Sequence, residues 1–141
     1  MDPARGTAEL THIGTDKTEF PRIDDRLTGR RHQYLTVSGK SGAHDLVPGE
    51  HDRLVRYNMA TGGSVRYDTD ASIGEVAFAP RSGATEELDG YYLTFARSIA
   101  DDRSWLYVWD ADDFPGPPRA RVLIPAPIPN GLHANWFSLR Q

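Results

Sequence analysis

The sequence predicts an all-β protein, and three observations lead to this prediction. Short runs of β-branched, aromatic and alternating residues follow one another along the 141-residue chain. Clusters of glycine, proline and aspartate separate these runs, and no segment shows the periodicity of an amphipathic helix. Short strands joined by such turns are typical of a β-sandwich, a β-barrel or a β-propeller.

Seven segments are predicted as strands, with turn-forming residues between them. Residues 58–63 (Asn-Met-Ala-Thr-Gly-Gly) join two of these strands, and their glycines can take the positive φ that a hairpin loop needs. Residues 1–18 carry few large apolar side chains and are expected to form an N-terminal loop segment, so the folded region is expected at 19–141. The predicted strands are residues 33–37, 53–57, 64–67, 76–79, 91–95, 105–109 and 121–124.

Two parts of the chain resemble each other at a spacing of about 50 residues. Residues 54–67 and residues 106–122 each read as a strand, a turn and a returning strand. Propeller blades contain such hairpins, and blade repeats have this length. The repeat is imperfect, so it supports a propeller while the sandwich and the barrel stay open.

Composition and charge exclude several classes of function. Acidic residues outnumber basic ones by 20 to 16, giving a formal net charge of −4, which speaks against a nucleic-acid-binding protein. The chain has no cysteine, so disulfides, cysteine-ligated zinc and thiol nucleophiles are excluded. It also lacks an apolar run long enough for a transmembrane helix and an N-terminal secretory signal. A cytoplasmic location is expected, and peripheral contact with a membrane surface stays open.

Among the five histidines, His133 has a distinctive sequence context. The other four, His12, His32, His44 and His51, fall in loops or at strand starts, where a solvated or turn-capping role is expected. His133 follows a proline-rich approach and a glycine, and it lies between apolar neighbours near the end of the chain. From its context alone it is either a hydrogen-bonded core histidine or a metal ligand.

Five segments, in the same order along the chain, resemble the motifs of the carotenoid cleavage dioxygenases. Two departures occur within them: Val76 stands where the family has proline, and Ala134 stands where it has glycine. The segments are residues 19–24 (Glu-Phe-Pro-Arg-Ile-Asp), 74–81 (Gly-Glu-Val-Ala-Phe-Ala-Pro-Arg), 89–94 (Asp-Gly-Tyr-Tyr-Leu-Thr), 105–111 (Trp-Leu-Tyr-Val-Trp-Asp-Ala) and 129–136 (Pro-Asn-Gly-Leu-His-Ala-Asn-Trp).

The resemblance implies a fold and a metal site. The chain would form the C-terminal blades, about two to three, of a seven-bladed β-propeller that carries Fe(II) on its axis, held by four histidines. His133 matches the last of these ligands, and the other three are expected upstream of Glu19. Glu19 and Glu75 match glutamates that accept hydrogen bonds from ligand histidines, which fixes the tautomer and the ring direction of an imidazole. Both glutamates are expected to orient ligands other than His133.

The resemblance also implies an activity. The parent enzyme would use O2 to cleave a conjugated C=C bond of a carotenoid, an apocarotenoid or a stilbene-like substrate. The chain alone is expected to be inactive, because it holds one iron ligand of four. The alternative is a non-catalytic β-propeller or β-sandwich module that binds a partner through exposed strands.

Overall fold

The computed structural model describes residues 2–139 and contains one antiparallel sheet of eight strands. The sheet curls into half a barrel. Its strands pair in the order β1-β2-β3-β4-β6-β7-β8, and β5 pairs with β6 beyond the point where β4 leaves it. The strands are β1 (Thr18–Arg22), β2 (Tyr34–Gly39), β3 (His51–Asn58), β4 (Ser64–Ile73), β5 (Ala77–Pro80), β6 (Gly90–Ser98), β7 (Ser104–Asp110) and β8 (Ala120–Ile124), with a 3-10 turn at Asp25–Leu27.

All seven predicted strands are present, and the sequence missed one. The missed strand, β1, contains the Glu-Phe-Pro-Arg segment. Proline cannot donate a ladder hydrogen bond, so its presence argued against a strand, yet an edge strand tolerates it. β4 also runs beyond its predicted end at Tyr67, because Asp68 stays paired with Arg53 of β3 through a salt bridge.

The main core lies under the middle strands and is centred on Trp109. Trp109 is 1% exposed and makes edge-to-face contacts with Tyr67 and Tyr107, at centroid distances of 5.8 and 5.7 Å. Both faces of β7 are apolar, but only the face of Tyr107 and Trp109 is buried, and Leu106 on the other face is half-buried. One face of β7 therefore supports the core and the other stays partly open.

The loop at 40–50, between β2 and β3, is fixed by a buried carboxylate. Asp52 is fully buried and accepts hydrogen bonds from the backbone N–H of Ser41 at 2.6 Å and from Nδ1 of His44 at 2.8 Å. Burial alone raises the pKa of Asp52, but these hydrogen bonds outweigh it and hold the pKa below its usual value. The loop thereby brings Glu50 to the edge of the candidate site.

Within residues 2–139, the structure contains no helix that is long and apolar enough to cross a membrane.

Candidate metal centre

The segment that carries His133 is attached to the sheet by side chains. Residues 125–139, here called the closing segment, form no strand. Proline at positions 125, 127 and 129 limits the backbone freedom of its first half. Four polar residues from separate parts of the fold hold it in place. The contacts are Ser104 to the N–H of Ile128 (2.8 Å), Glu50 to Asn130 (3.2 Å), Glu75 to the N–H of Ala134 (2.5 Å) and Arg22 to Asn135 (2.8 Å).

His133 and Glu75 face each other at the centre of this arrangement. Nδ1 of His133 lies 3.4 Å from Oε2 of Glu75, and the same oxygen accepts the N–H of Ala134. The Glu75 side chain is buried, whereas that of His133 is 83% exposed. An acceptor on one ring nitrogen leaves Nε2 as the metal-facing atom, which is how protein imidazoles are oriented for coordination.

The position of Glu75 differs from the expectation. Both glutamates were expected to orient other ligands, yet Glu75 contacts His133 itself. It sits on the turn between β4 and β5, where the carbonyl of Glu75 accepts a hydrogen bond from the Thr94 hydroxyl at 3.0 Å. Val76 is buried in the core, so this turn is fixed by packing although the family's proline is absent. The carboxylate is therefore held in one place.

The Glu-Phe-Pro-Arg segment contributes an aromatic ring through a β-bulge. Glu19 pairs with Ser38 and Arg22 with Thr36, so β1 has one residue more than β2 between these pairs. Phe20, inside the bulge, has φ +57°, which is unusual for a bulky residue and more so before proline. The bulge re-aims the Phe20 ring, which meets His51 edge-on at 5.4 Å and His133 at 6.1 Å between centroids.

Glu19 and His51 lie on the far side of Phe20. The Glu19 side chain is exposed and has no hydrogen-bond partner among the described residues. His51 was expected to be solvated, and this is wrong: it is 5% exposed, and its Nδ1 is buried without a partner in the described part of the chain. Burial lowers the pKa of His51, the Lys40 ammonium acts in the same direction, and Glu19 opposes both. No motif or periodicity around His51 indicates this burial, which involves contact with Phe20 inside the bulge.

Two cavities flank the closing segment. One, of about 280 Å³, lies between Glu75, Phe95 of β6 and His133. The other, of about 680 Å³, is lined by Glu19, Phe20 and His51, among others. Trp136 and Phe137 are exposed. The smaller cavity reaches His133, and the larger one reaches the preceding residues of the closing segment, up to Leu132.

The residues described here fit one ligand of a metal site. Among residues 2–139, no group of three or more histidine, aspartate or glutamate side chains could hold a metal ion. Among the described residues, His44 and His133 are exposed histidines with a buried carboxylate near Nδ1, and of these two only His133 lines one of the two cavities. A metal bound here would need further ligands from outside the described residues.

Comparisons with known proteins agree with this geometry. Residues 1–138 match the retinal pigment epithelial membrane protein family. Carotenoid cleavage oxygenase 1 of Neurospora crassa is 32% identical over 92% of this chain and 27% of its own length. The chain thus spans about a quarter of that relative.

Solved structures of related enzymes superpose on most of the chain. The cobalt-substituted apocarotenoid oxygenase of Synechocystis matches with a TM-score of 0.88 and 26% identity, over 99% of this chain and 29% of that one. The lignostilbene dioxygenase of Pseudomonas brassicacearum matches with a TM-score of 0.79 and 31% identity, over 89% and 28%. The all-β class and the relation to part of a propeller are therefore confirmed.

The fold and the site define a segment of an oxygenase propeller. The chain belongs to the retinal pigment epithelial membrane protein family, the family of the carotenoid cleavage oxygenases. Its relatives are named oxygenases and dioxygenases, so this is an enzyme family.

Proposed function

We propose that this chain is part of a non-haem Fe(II) dioxygenase that cleaves a conjugated C=C bond with O2, and that His133 is one of the iron ligands. The observation that carries the proposal is the exposed imidazole of His133 with a buried carboxylate behind its Nδ1. Neutral imidazoles are suitable ligands for iron. Bound Fe(II) would supply the activation of O2.

The protein groups have separate parts in this function. Glu75 lies 3.4 Å from Nδ1 of His133; in the metal-bound state it would accept a hydrogen bond from Nδ1, direct Nε2 at the metal and raise the basicity of the ligand. Phe20 contacts the imidazole edge-on on one side. Glu19 is free to accept a hydrogen bond from a ligand histidine outside this chain, the role its motif implies. The domain limits stay part of the proposal: an N-terminal loop segment at 1–18, whose last residue already begins β1, and part of the propeller at 19–141.

The substrate class is proposed from the relatives. Their names refer to carotenoids, an apocarotenoid and lignostilbene, all with a conjugated C=C bond. Apolar walls beside His133, such as Phe95 in the smaller cavity and Phe20 in the larger one, suit an apolar polyene or stilbene-like molecule. The remaining iron ligands are proposed to lie upstream of Glu19, so the chain alone is expected to be inactive.

Transplanting the chain into a relative tests this function. Residues 1–138 would replace the matching segment of the Synechocystis apocarotenoid oxygenase, with the Pseudomonas lignostilbene dioxygenase as a second host. We expect both hybrids to hold about one iron per polypeptide and to incorporate oxygen from 18O2 into the cleaved product, since a four-histidine cage is completed. Folded hybrids that hold no iron in either host would reject the function.

Glu75→Gln in an active hybrid should weaken iron retention or turnover by roughly 10–100-fold, as changes behind a metal ligand usually do. Glutamine keeps the size of the side chain but removes the charge that faces Nδ1 of His133. The measurements are the rate of iron loss to a chelator and kcat. Glu86→Gln, an exposed change in the loop before β6, is the control and should leave both unchanged. Equal losses in the two variants would contradict the role of Glu75.

A further inference from the structure

Two side-chain hydrogen bonds hold the closing segment on either side of His133. Three residues before it, Nδ2 of Asn130 donates to Oε1 of Glu50 at 3.2 Å. Two residues after it, Oδ1 of Asn135 accepts from a guanidinium nitrogen of Arg22 at 2.8 Å. The segment forms no strand, so these bonds replace the ladder that would otherwise fix its backbone.

Glu50 is built into the fold as an anchor. Its side chain is 6% exposed, although it carries a carboxylate. Buried charges need partners, and Glu50 has three: the guanidinium of Arg97, the backbone N–H of Val47 at 3.2 Å and the amide of Asn130. It therefore connects the 40–50 loop, β6 and the closing segment.

Arg22 is the corresponding anchor on the other side. Its guanidinium donates to Asp25 at 2.9 Å and to Asn135, and it lies 3.6 Å from Oε1 of Glu75. One cation thus contacts both the segment that carries His133 and the carboxylate that faces the imidazole. The β-bulge in β1 sets the position of Arg22 along the strand.

We propose that Arg22 and Glu50 are positioning residues that fix the closing segment, and with it the imidazole of His133, for metal binding. The proposal rests on the function proposed above but concerns residues that the metal does not touch. A metal ligand must be held within a fraction of an ångström of its productive position. Without the anchors, Glu75 would hold the segment only at Ala134 and His133, and Ser104 would hold it only at Ile128.

The same substitution at the two asparagines gives a test with opposite expectations. Asn130→Asp places a carboxylate against Glu50, so the upstream anchor should fail, whereas Asn135→Asp gives Arg22 a charged acceptor and should preserve or strengthen the downstream anchor. Both asparagines are exposed, so neither change should unfold the protein. The variants would be made in the complete iron-loaded oxygenase that contains this chain.

Two readouts decide the proposal. Iron loss to a chelator should become about tenfold faster in Asn130→Asp and no faster than wild type in Asn135→Asp. Hydrogen exchange of residues 128–136, measured on the metal-free protein, should rise in Asn130→Asp only. KM for the alkene should stay unchanged in Asn135→Asp, because Asn135 lines neither cavity, whereas Asn130 lines both and its variant is judged by iron loss and hydrogen exchange.

A rescue variant separates positioning from a general loss of structure. Glu50→Gln combined with Asn130→Asp removes the like charge at position 50 and places the new carboxylate near the Arg97 guanidinium, which contacts the same Glu50 oxygen as Asn130, so the closing segment can be attached again through Arg97. We expect the double variant to restore slow exchange at residues 128–136. Arg22→Gln should raise that exchange in the same way as Asn130→Asp, while Arg119→Gln, which breaks an exposed pair with Asp110, should not.

The outcomes of the proposed function and of the anchors are distinguishable. A wild-type protein without iron would reject the proposed function, and hydrogen exchange on the metal-free protein would still decide the anchors. A wild-type protein with iron, together with equal exchange in the two aspartate variants or no recovery in the double variant, would overturn the anchors alone.

Discussion

Replacing His133 by alanine is expected to abolish both iron retention and alkene cleavage in the complete oxygenase. The change removes a metal ligand and leaves Glu75, a buried carboxylate, with the N–H of Ala134 and the more distant Arg22 as its nearest partners. A change behind a ligand costs roughly 10–100-fold, so loss of the ligand itself should exceed that range. Iron content after gel filtration and product formation with 18O2 are the measurements.

The control for this change is His12→Ala. His12 is exposed in the segment before β1, and its removal should leave iron content and cleavage at the wild-type level. Glutamine at position 133 would keep polarity without an imidazole and should behave like alanine. A His133→Ala enzyme with wild-type iron content would show that the ligand lies elsewhere.

The site residues that could be predicted from the sequence are those that lie within short motifs. Glu75 and His133 each lie in a segment with its own signature, and the order of the segments brought them together. Strand prediction worked for the same reason: alternation and turn residues are local, and seven of the eight strands follow from them. The eighth, β1, was hidden because its proline is compatible only with an edge position, which the sequence does not show.

The parts that the sequence did not reveal depend on contacts between distant residues. Arg22 meets Asn135 across 113 positions, and Glu50 meets Asn130 across 80. Neither pair has a periodicity or a motif that joins its two members. His51 was misjudged for a related reason, since its burial under Phe20 follows from a bulge and not from its neighbours in the chain. Register and bulges decide such contacts.

The pairing of Glu75 with His133 shows where motif resemblance stops. The resemblance implied that each glutamate orients a ligand histidine other than His133. For Glu75 the structure differs from this, because Ala134 and His133 both approach its Oε2. Glu75 therefore contacts both the backbone of the closing segment, at Ala134, and the ring of His133.

Trp109→Ala is expected to have the largest effect on stability. Trp109 is the largest fully buried side chain and contacts Tyr67 and Tyr107 edge-on. Tryptophan-to-alanine changes in a core cost about 3–5 kcal/mol, a large fraction of the roughly 5–15 kcal/mol that stabilises a typical domain. The chain should therefore lose its cooperative unfolding transition, measured by urea titration with near-ultraviolet circular dichroism.

Two further variants of the same core test whether the loss of stability comes from the cavity that Trp109→Ala creates. Trp109→Phe keeps an aromatic ring and removes an Nε1–H that is buried without a partner in the described chain, so it should destabilise much less. Trp105→Ala, at a half-buried position of the same strand, should fall between the two. Equal midpoints for Trp109→Ala and wild type would contradict the central place of this side chain. Destabilisation of β7 by Trp109→Ala should also loosen the closing segment, because the Ser104 hydroxyl of the same strand accepts a hydrogen bond from the N–H of Ile128.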